Sequence, residues 1–242
     1  MRMAHSHPPL DPCLATGREL GWKTEPELVA ENIACRRGER LVFAGLSLRL
    51  PAGGALLLTG ANGSGKTSLL RLLATLIPPA AGRLGWGDAL IDADIPAYRK
   101  HLHYVGHHDG IKPGLTPRET LVFWAALRGN AVPAEAPAIE AALTAFALDA
   151  FAAWPCRWLS AGQRRRLALA RLVATRAPVW LLDEPTSALD TDNQTRLERL
   201  IADHRTAGGR VVVASHIPIR MDGAAALGLD AFAPALGDTD AF

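Results

Sequence analysis

Cysteine is scarce in this chain: Cys13, Cys35 and Cys156 are the only three in 242 residues. The set is odd, widely spaced and without a CxxC pair. It therefore supplies neither a disulfide framework nor a thiolate zinc site, and a reducing cytoplasm suits it. Excess charge of one sign is also missing. Lys and Arg number 26 against 24 Asp and Glu, a net of +2, which selects neither nucleic acid nor an acidic surface as the main partner. No stretch approaches the roughly 20 uninterrupted apolar residues of a membrane helix, and the opening MRMAHSHPPLDPC has no apolar core of an export signal. The expectation is a chain with no membrane span that works on a membrane only through other subunits. No repeat recurs at a solenoid period.

The composition, 49% hydrophobic and 21% charged, is enough to bury a sizeable core in one large domain or two small ones. Residues 1–27 are rich in Pro, His and polar residues without periodicity. They are expected to form a poorly ordered extension, with His5 and His7 solvated. Strands are expected at 28–34 and 41–50, then in the apolar run 55–58, around 84–86 and at 102–105. Helices are expected at 117–127 and 134–148, at about 162–175 and at about 192–204, with strands at 179–182 and 211–214. The middle block reads as helical and distinct, and the last third alternates strand and helix. That alternation implies an α/β fold with a mostly parallel sheet whose ligands bind at the carboxyl ends of the strands.

The octapeptide GANGSGKT, Gly60, Ala61, Asn62, Gly63, Ser64, Gly65, Lys66 and Thr67, lies between the apolar run and a helical run that opens with Ser68. It matches the phosphate-binding P-loop pattern GxxxxGK[ST] in its required strand-to-helix context. Glycines let backbone N–H groups close on a triphosphate, the helix N-terminus adds positive potential, Lys66 reaches the β- and γ-phosphates, and Thr67 offers a hydroxyl to Mg²⁺. Further on, the apolar run Val179 to Leu182 ends in adjacent carboxylates. Asp183 suits Mg²⁺, and Glu184 can polarise a water for attack on the γ-phosphate. Leu159-Ser160-Ala161-Gly162-Gln163 precedes a helix whose first turn holds Arg164, Arg165 and Arg166. Cations there oppose the helix dipole, so they are expected to face phosphate or carboxylate partners, with Ser160 and the first N–H groups forming an anion site. Arg171 is expected to be solvated.

GANGSGKT, LSAGQ, LLDEP, the segment Ser187-Ala188-Leu189-Asp190 and Ser215-His216 together resemble an ABC-type ATPase over roughly residues 28–218. The resemblance implies a P-loop NTPase fold with an antiparallel β subdomain, a helical subdomain at about 108–170, and a short tail at 219–242. It also implies ATP and Mg²⁺ as cofactors, and catalysis by Glu184, His216 and Lys66. By the same likeness Ser160, Gly162 and Gln163 cap the ATP of a second copy in a homodimer, Asp190 belongs to the D-loop, and His216 is the switch histidine. Taken alone, His216 reads as a buried histidine at a strand end.

Two positions depart from the family. The usual adenine-stacking aromatic is missing from Arg36-Arg37-Gly38-Glu39-Arg40, where Arg37 or Arg40 could stack through its guanidinium plane or simply form a charged loop. The family's Q-loop glutamine is replaced by His107 in Tyr104-Val105-Gly106-His107-His108. A histidine serves Mg²⁺ poorly as a ligand and suits a hydrogen-bonded or water-mediated contact. The cluster His101, His103, His107 and His108 also invites a metal or haem reading, although no Cys or acid completes a ligand set.

The block YVGHHDGIKPGLTPRETLVFWAAL, with LSAGQRRRLALARL and Ser215-His216-Ile217-Pro218, is similar to the ATP-binding subunit of the haem exporter of cytochrome c maturation. That likeness implies membrane partners of a haem-handling complex and a peripheral place on the cytoplasmic face of the inner membrane. It further implies ATP hydrolysis that drives release of haem from its periplasmic chaperone. The alternatives are another ABC importer or exporter ATPase, a DNA-repair ATPase of the superfamily, and a nucleotide kinase. Only about 90 residues separate Lys66 from Ser160, too few for the coiled coil of a repair ATPase. A kinase lacks LSAGQ and the switch histidine.

Overall fold

β-Branched and leucine-rich segments punctuated by Gly and Pro organise the chain into short elements. In chain order these are β1 Leu28–Arg37, β2 Arg40–Leu50, β3 Ala55–Thr59, α1 Lys66–Leu73, β4 Ala81–Trp86, β5 Ala89–Leu90, α2 Ile95–Arg99 and β6 Leu102–Val105. They continue with α3 Pro117–Leu127, α4 Pro137–Ala145, α5 Ala161–Ala174, β7 Val179–Asp183, α6 Thr191–Thr206, β8 Arg210–Ala214 and β9 Ala225–Gly228. The structure is a computed structural model and describes residues 22–129 and 132–234. The described residues divide into two compact units, Ile111–Arg176 and the remainder.

The larger unit holds two sheets. One is antiparallel, in the order β2-β1-β4-β5; the other is parallel, in the order β6-β7-β8-β3-β9. β7 and β8 are buried at every residue, as central strands of a parallel sheet must be. β2 buries Leu46 and Leu50 on one face, the alternation expected of a strand with one wet side. Leu69, Leu70, Leu72 and Leu73 of α1 are fully buried in the core they share with Leu28, Ile33 and Phe43 of the antiparallel sheet and Leu58, Leu181 and Val212 of the parallel one. Each such leucine contributes about 1.5–3 kcal/mol by burial, so the core fixes α1, and with it the loop before α1, against both sheets.

The smaller unit is helical. A capping box of Thr116 and Glu119, with Pro117 at the first helical position, starts α3. Arg118 of α3 forms a two-pronged ion pair with Glu140 of α4 and donates to Ala134 O. α4 is shorter than the expected 134–148. Pro137 opens it, and Ala147 at φ +50° closes it, with Leu148 N donating to Leu143 O and Ala147 N to Thr144 O.

Two expected boundaries change. Residues 1–21, including His5, His7 and Cys13, lie outside the described residues, but residues 22–27 are not part of a loose extension. Trp22–Thr24 form a 3₁₀ turn, and fully buried Arg210 donates to Trp22 O at 3.2 Å and Glu25 O at 2.5 Å. Trp22 also packs, tilted, on His204, which itself stacks on Trp180 with ring centres 3.8 Å apart. Nor is 219–234 a tail: β9 pairs in parallel with β3, and a 3₁₀ turn, Leu229–Phe232, buries Leu229 completely. Residues 235–242 lie outside the described residues. The short helix α2, which the sequence reading missed, is capped by Asp94 accepting from Ala97 N at 2.9 Å.

Candidate active site

The loop from Gly60 to Gly65 leaves β3 and enters α1 through left-handed backbone at Gly60, Gly63 and Gly65. At Gly65 a Cβ would lie 2.8 Å from Val42 Cγ1 and 3.0 Å from Phe43 Cδ1. Only glycine permits that approach and that φ of +106°. No side chain caps the N-terminus of α1, so the positive end of the helix faces the cavity beside it. Lys66, nearly buried, folds its ammonium back onto its own loop and donates to Gly60 O at 2.7 Å and Ala61 O at 2.9 Å.

The cavity has a volume of about 640 Å³, within the range of small-molecule sites. Asn62, Gly63, Gly65, Lys66, Thr67 and Ser68 form its loop side. Asp183 and Glu184, from the end of β7, and His107 and His216 join them. Gly60, Ala61 and Ser64 belong to the same loop and are not among the residues lining the cavity. The parallel register carries the two carboxylates there, since Asp183 pairs with Ala214, one residue before Ser215 and two before His216.

Asp183 is buried at the foot of the cavity and accepts from Thr67 Oγ1 at 3.1 Å. Burial pushes its carboxyl above the usual carboxylate range. The Thr67 hydroxyl opposes that, the neighbouring Glu184 reinforces it, and Arg71 and His107 oppose it. A hydroxyl and a carboxylate oxygen side by side are the hard-oxygen pair that Mg²⁺ prefers, and a cation there would relieve the cost of keeping a buried carboxylate ionised. The donor set therefore fits Mg²⁺. Glu184 takes φ +48°, rare for a side chain of its kind, and is held there by its N–H to Ala214 O at 2.8 Å and by His216.

Other expected residues stand elsewhere. Asp190 caps α6, accepting from Asn193 N and Nδ2 at 2.8 Å each, and is not among the residues lining the cavity. Ser160, Gly162 and Gln163 lie in the helical unit. There Ser160 Oγ accepts from Gln163 N at 3.1 Å, while Gln163 Oε1 accepts from Ser160 N at 2.7 Å, a capping box that starts α5. The expectation that the arginines of α5 face phosphate or carboxylate is corrected at two of them. Arg166 donates to Phe146 O and Ala147 O at 2.9 Å, at the negative end of α4, and Arg164 donates to Leu159 O at 2.5 Å. Arg171 is not simply solvated, because its guanidinium lies 5.0 Å from the centre of the Trp124 ring.

The four histidines do not gather. His101 stacks on Trp86, His103 is buried in β6, and His107 and His108 meet edge-on with ring centres 5.5 Å apart. Among the described residues no group of three His, Cys, Asp or Glu side chains is placed to hold a metal. The sequence reading missed Arg71 and Val42, both of which line the cavity. Arg71 stands four residues after Thr67, one helical turn along the same face, and that spacing was the available signal. Arg37 and Arg40, paired across the β1–β2 hairpin, also line the cavity.

A family model described as ABC transporter matches residues 43–187. The cytochrome c biogenesis ATP-binding export protein CcmA of Rhodospirillum rubrum is 56% identical over 215 residues, covering 88% of this chain and 91% of that relative. The protein of the same description from Paramagnetospirillum magneticum is 52% identical over 206 residues, 85% of this chain and 95% of the relative. Among solved structures, a dimeric ATP-binding cassette in a post-hydrolysis state, bound to ADP and Pi, shares the fold with a TM-score of 0.70 at 23% identity, over 78% of this chain and 88% of that one. The ATP-binding subunit of an ABC transporter does so with a TM-score of 0.69 at 20% identity, over 78% and 79%. With a P-loop, a buried Asp183, a strained Glu184 and His216 on one cavity, and relatives of this identity over most of its length, the chain belongs to the ABC transporter family of ATPases, among its cytochrome c biogenesis ATP-binding export proteins.

Proposed function

We propose that this ATPase hydrolyses ATP in the cavity between α1 and the ends of β7 and β8, and that two copies serve membrane subunits that release haem-loaded chaperone in c-type cytochrome biogenesis. The observation that supports the hydrolytic assignment most directly is the pair at the end of β7, with buried Asp183 bonded to Thr67 and Glu184 held by His216. Lys66 and the loop amides hold the β- and γ-phosphates. Thr67 and Asp183 would hold Mg²⁺, which would supply positive charge to neutralise the phosphates. Glu184 orients a water and accepts its proton as the water oxygen attacks the γ-phosphorus and the bond to the bridging oxygen of ADP breaks. His216 positions Glu184 and faces the γ-phosphate, and His107 contacts the phosphate or its water in place of a glutamine.

The cellular part of the proposal rests on the names of the relatives and on the GHHDGIKPGLT block. No helix among the described residues is long and apolar enough to cross a membrane, so vectorial work requires membrane partners, with this chain peripheral on the cytoplasmic face of the inner membrane. Haem staining of membrane and periplasmic fractions tests it. Cells carrying only the Glu184→Gln chain should lose covalent c-type cytochromes and keep b-type haem proteins. Normal c-type cytochromes in those cells would remove the haem assignment and leave the ATPase standing.

A further inference from the structure

β9 lies on the edge of the parallel sheet in register with β3, so that Gly228 pairs with Thr59. Two residues on from each member of that pair stand Asp230 and Ala61, and they meet. Ala61 N–H points at both carboxylate oxygens of Asp230, with N to Oδ2 at 3.3 Å and N to Oδ1 at 3.4 Å. The other end of the same peptide group is also held by a charge, since Gly60 O accepts from Lys66 Nζ at 2.7 Å. The peptide joining Gly60 and Ala61 therefore lies between a carboxylate and an ammonium, its N–H toward one and its C=O toward the other. Hydrogen bonds to ions at both ends polarise such a group in one sense and strengthen each other.

The surroundings make this a built contact. A Cβ on Gly60 would stand 3.2 Å from Asp230 Oδ2 and 2.7 Å from Ser64 Oγ, at a φ of +137°. The turn that carries Asp230 is anchored on either side, by Leu229, which is fully buried, and by Phe232, which packs on the main core. The carboxylate is thus delivered by the sheet itself.

We propose that Asp230 is a positioning residue for nucleotide binding. It holds the peptide between Gly60 and Ala61 in the orientation in which Gly60 O retains Lys66 inside the loop, so that the phosphates of ATP enter a cradle already shaped. This rests on the cavity being the ATP site. Asp230 acts on the loop rather than on the reacting atoms, so its loss weakens binding and spares the chemical step.

The test uses the full chain and compares Asp230→Ala, Asp230→Asn and Leu229→Ala by titration with a fluorescent ATP analogue, steady-state hydrolysis and thermal unfolding. Asp230→Ala should raise Kd and KM about 10-fold with kcat within about twofold of wild type. Asp230→Asn, which keeps an acceptor oxygen in place and removes only the charge, should raise them about threefold. It carries the test by itself should Asp230→Ala not fold. Leu229→Ala, which loosens the anchor of the turn that carries Asp230, should lower Tm and raise KM in the same direction as Asp230→Ala. The proposal is overturned by an unchanged KM in both Asp230 variants, or by their kcat, KM and Tm moving together as for a destabilised fold. A wild-type chain that binds no nucleotide would instead overturn the ATP-site reading, and the proposal with it.

Discussion

His216 meets Glu184 at both carboxylate oxygens: its backbone N–H donates to Oε2 at 3.1 Å, and its Nε2 lies 3.5 Å from Oε1. The contact pins a side chain whose own backbone is strained at φ +48°, and strain of that kind persists only where the surroundings hold it. Glu184→Gln preserves shape and the acceptor for His216 N–H but cannot take a proton. It should therefore keep ATP binding and lose at least about 100-fold in turnover. His216→Ala retains the backbone bond and loses the ring, so it should also lower kcat with little change in Kd. Nucleotide retention and single-turnover rates check both, and wild-type turnover in Glu184→Gln would end the assignment.

Asp183 supplies a stability prediction with a definite sign. Its folded-state pKa is raised, chiefly by burial. A raised acid favours the folded state fully below the unfolded carboxylate pKa, and that contribution is lost as pH rises through the folded value. Ionised Asp183 is thus an unfavourable buried carboxylate in the ligand-free chain. Asp183→Asn keeps an acceptor for Thr67 and removes the charge, so its Tm without ligand should match or exceed that of wild type at pH 7. The stabilisation that Mg-ATP gives wild type should disappear. A variant less stable than wild type without ligand, yet still stabilised by Mg-ATP, would contradict both halves.

Arg37 and Arg40 approach the cavity from the β1–β2 hairpin, beside Val42, and among the described residues no Phe, Tyr or Trp lines it. A guanidinium plane can stack on a purine without reading its edge. Replacing the stacking arginine by Ala should weaken ATP about 5- to 30-fold, while the other change should stay within about twofold. Wild type should also bind GTP within a few-fold of ATP. Titration of both nucleotides against both variants decides the matter, and strong ATP preference surviving the two substitutions would exclude an arginine platform.

Most of the residues that line this cavity were legible in the sequence, because the glycine spacing with Lys66 and the carboxylates after an apolar run mark a strand-to-helix turn and a strand end, which the parallel sheet brings together. The parallel sheet followed from alternating apolar runs and amphipathic helices. What could not be read depends on tertiary pairing. β9, Ala-Ala-Leu-Gly, has no β-branched residue to mark it as a strand, so Asp230 was lost with it. Trp22 looked like part of a polar extension because its partner, buried Arg210, lies 188 residues away. Arg166 was misjudged for the same reason, since the carbonyls that accept from it come from the end of another helix.

Within one chain, Ser160 and Gln163 already satisfy each other as a capping box. The proposed composite site asks more of Ser160: that it meet the γ-phosphate bound by another copy. Ser160→Arg should then block the site to which it contributes, and Lys66→Ala the site in its own loop. Homodimers of either variant should be inactive. A heterodimer of one Lys66→Ala chain with one Ser160→Arg chain concentrates both lesions in one site and leaves the other intact, so activity should return to as much as about half of wild type if the sites act independently. Losing the cap itself costs only about 1 kcal/mol, which thermal unfolding of Ser160→Arg and of Ser160→Gly can separate from the effect on hydrolysis. If verified heterodimers stay inactive while Ser160→Gly homodimers hydrolyse ATP normally, Ser160 serves its own helix and the two sites are not shared.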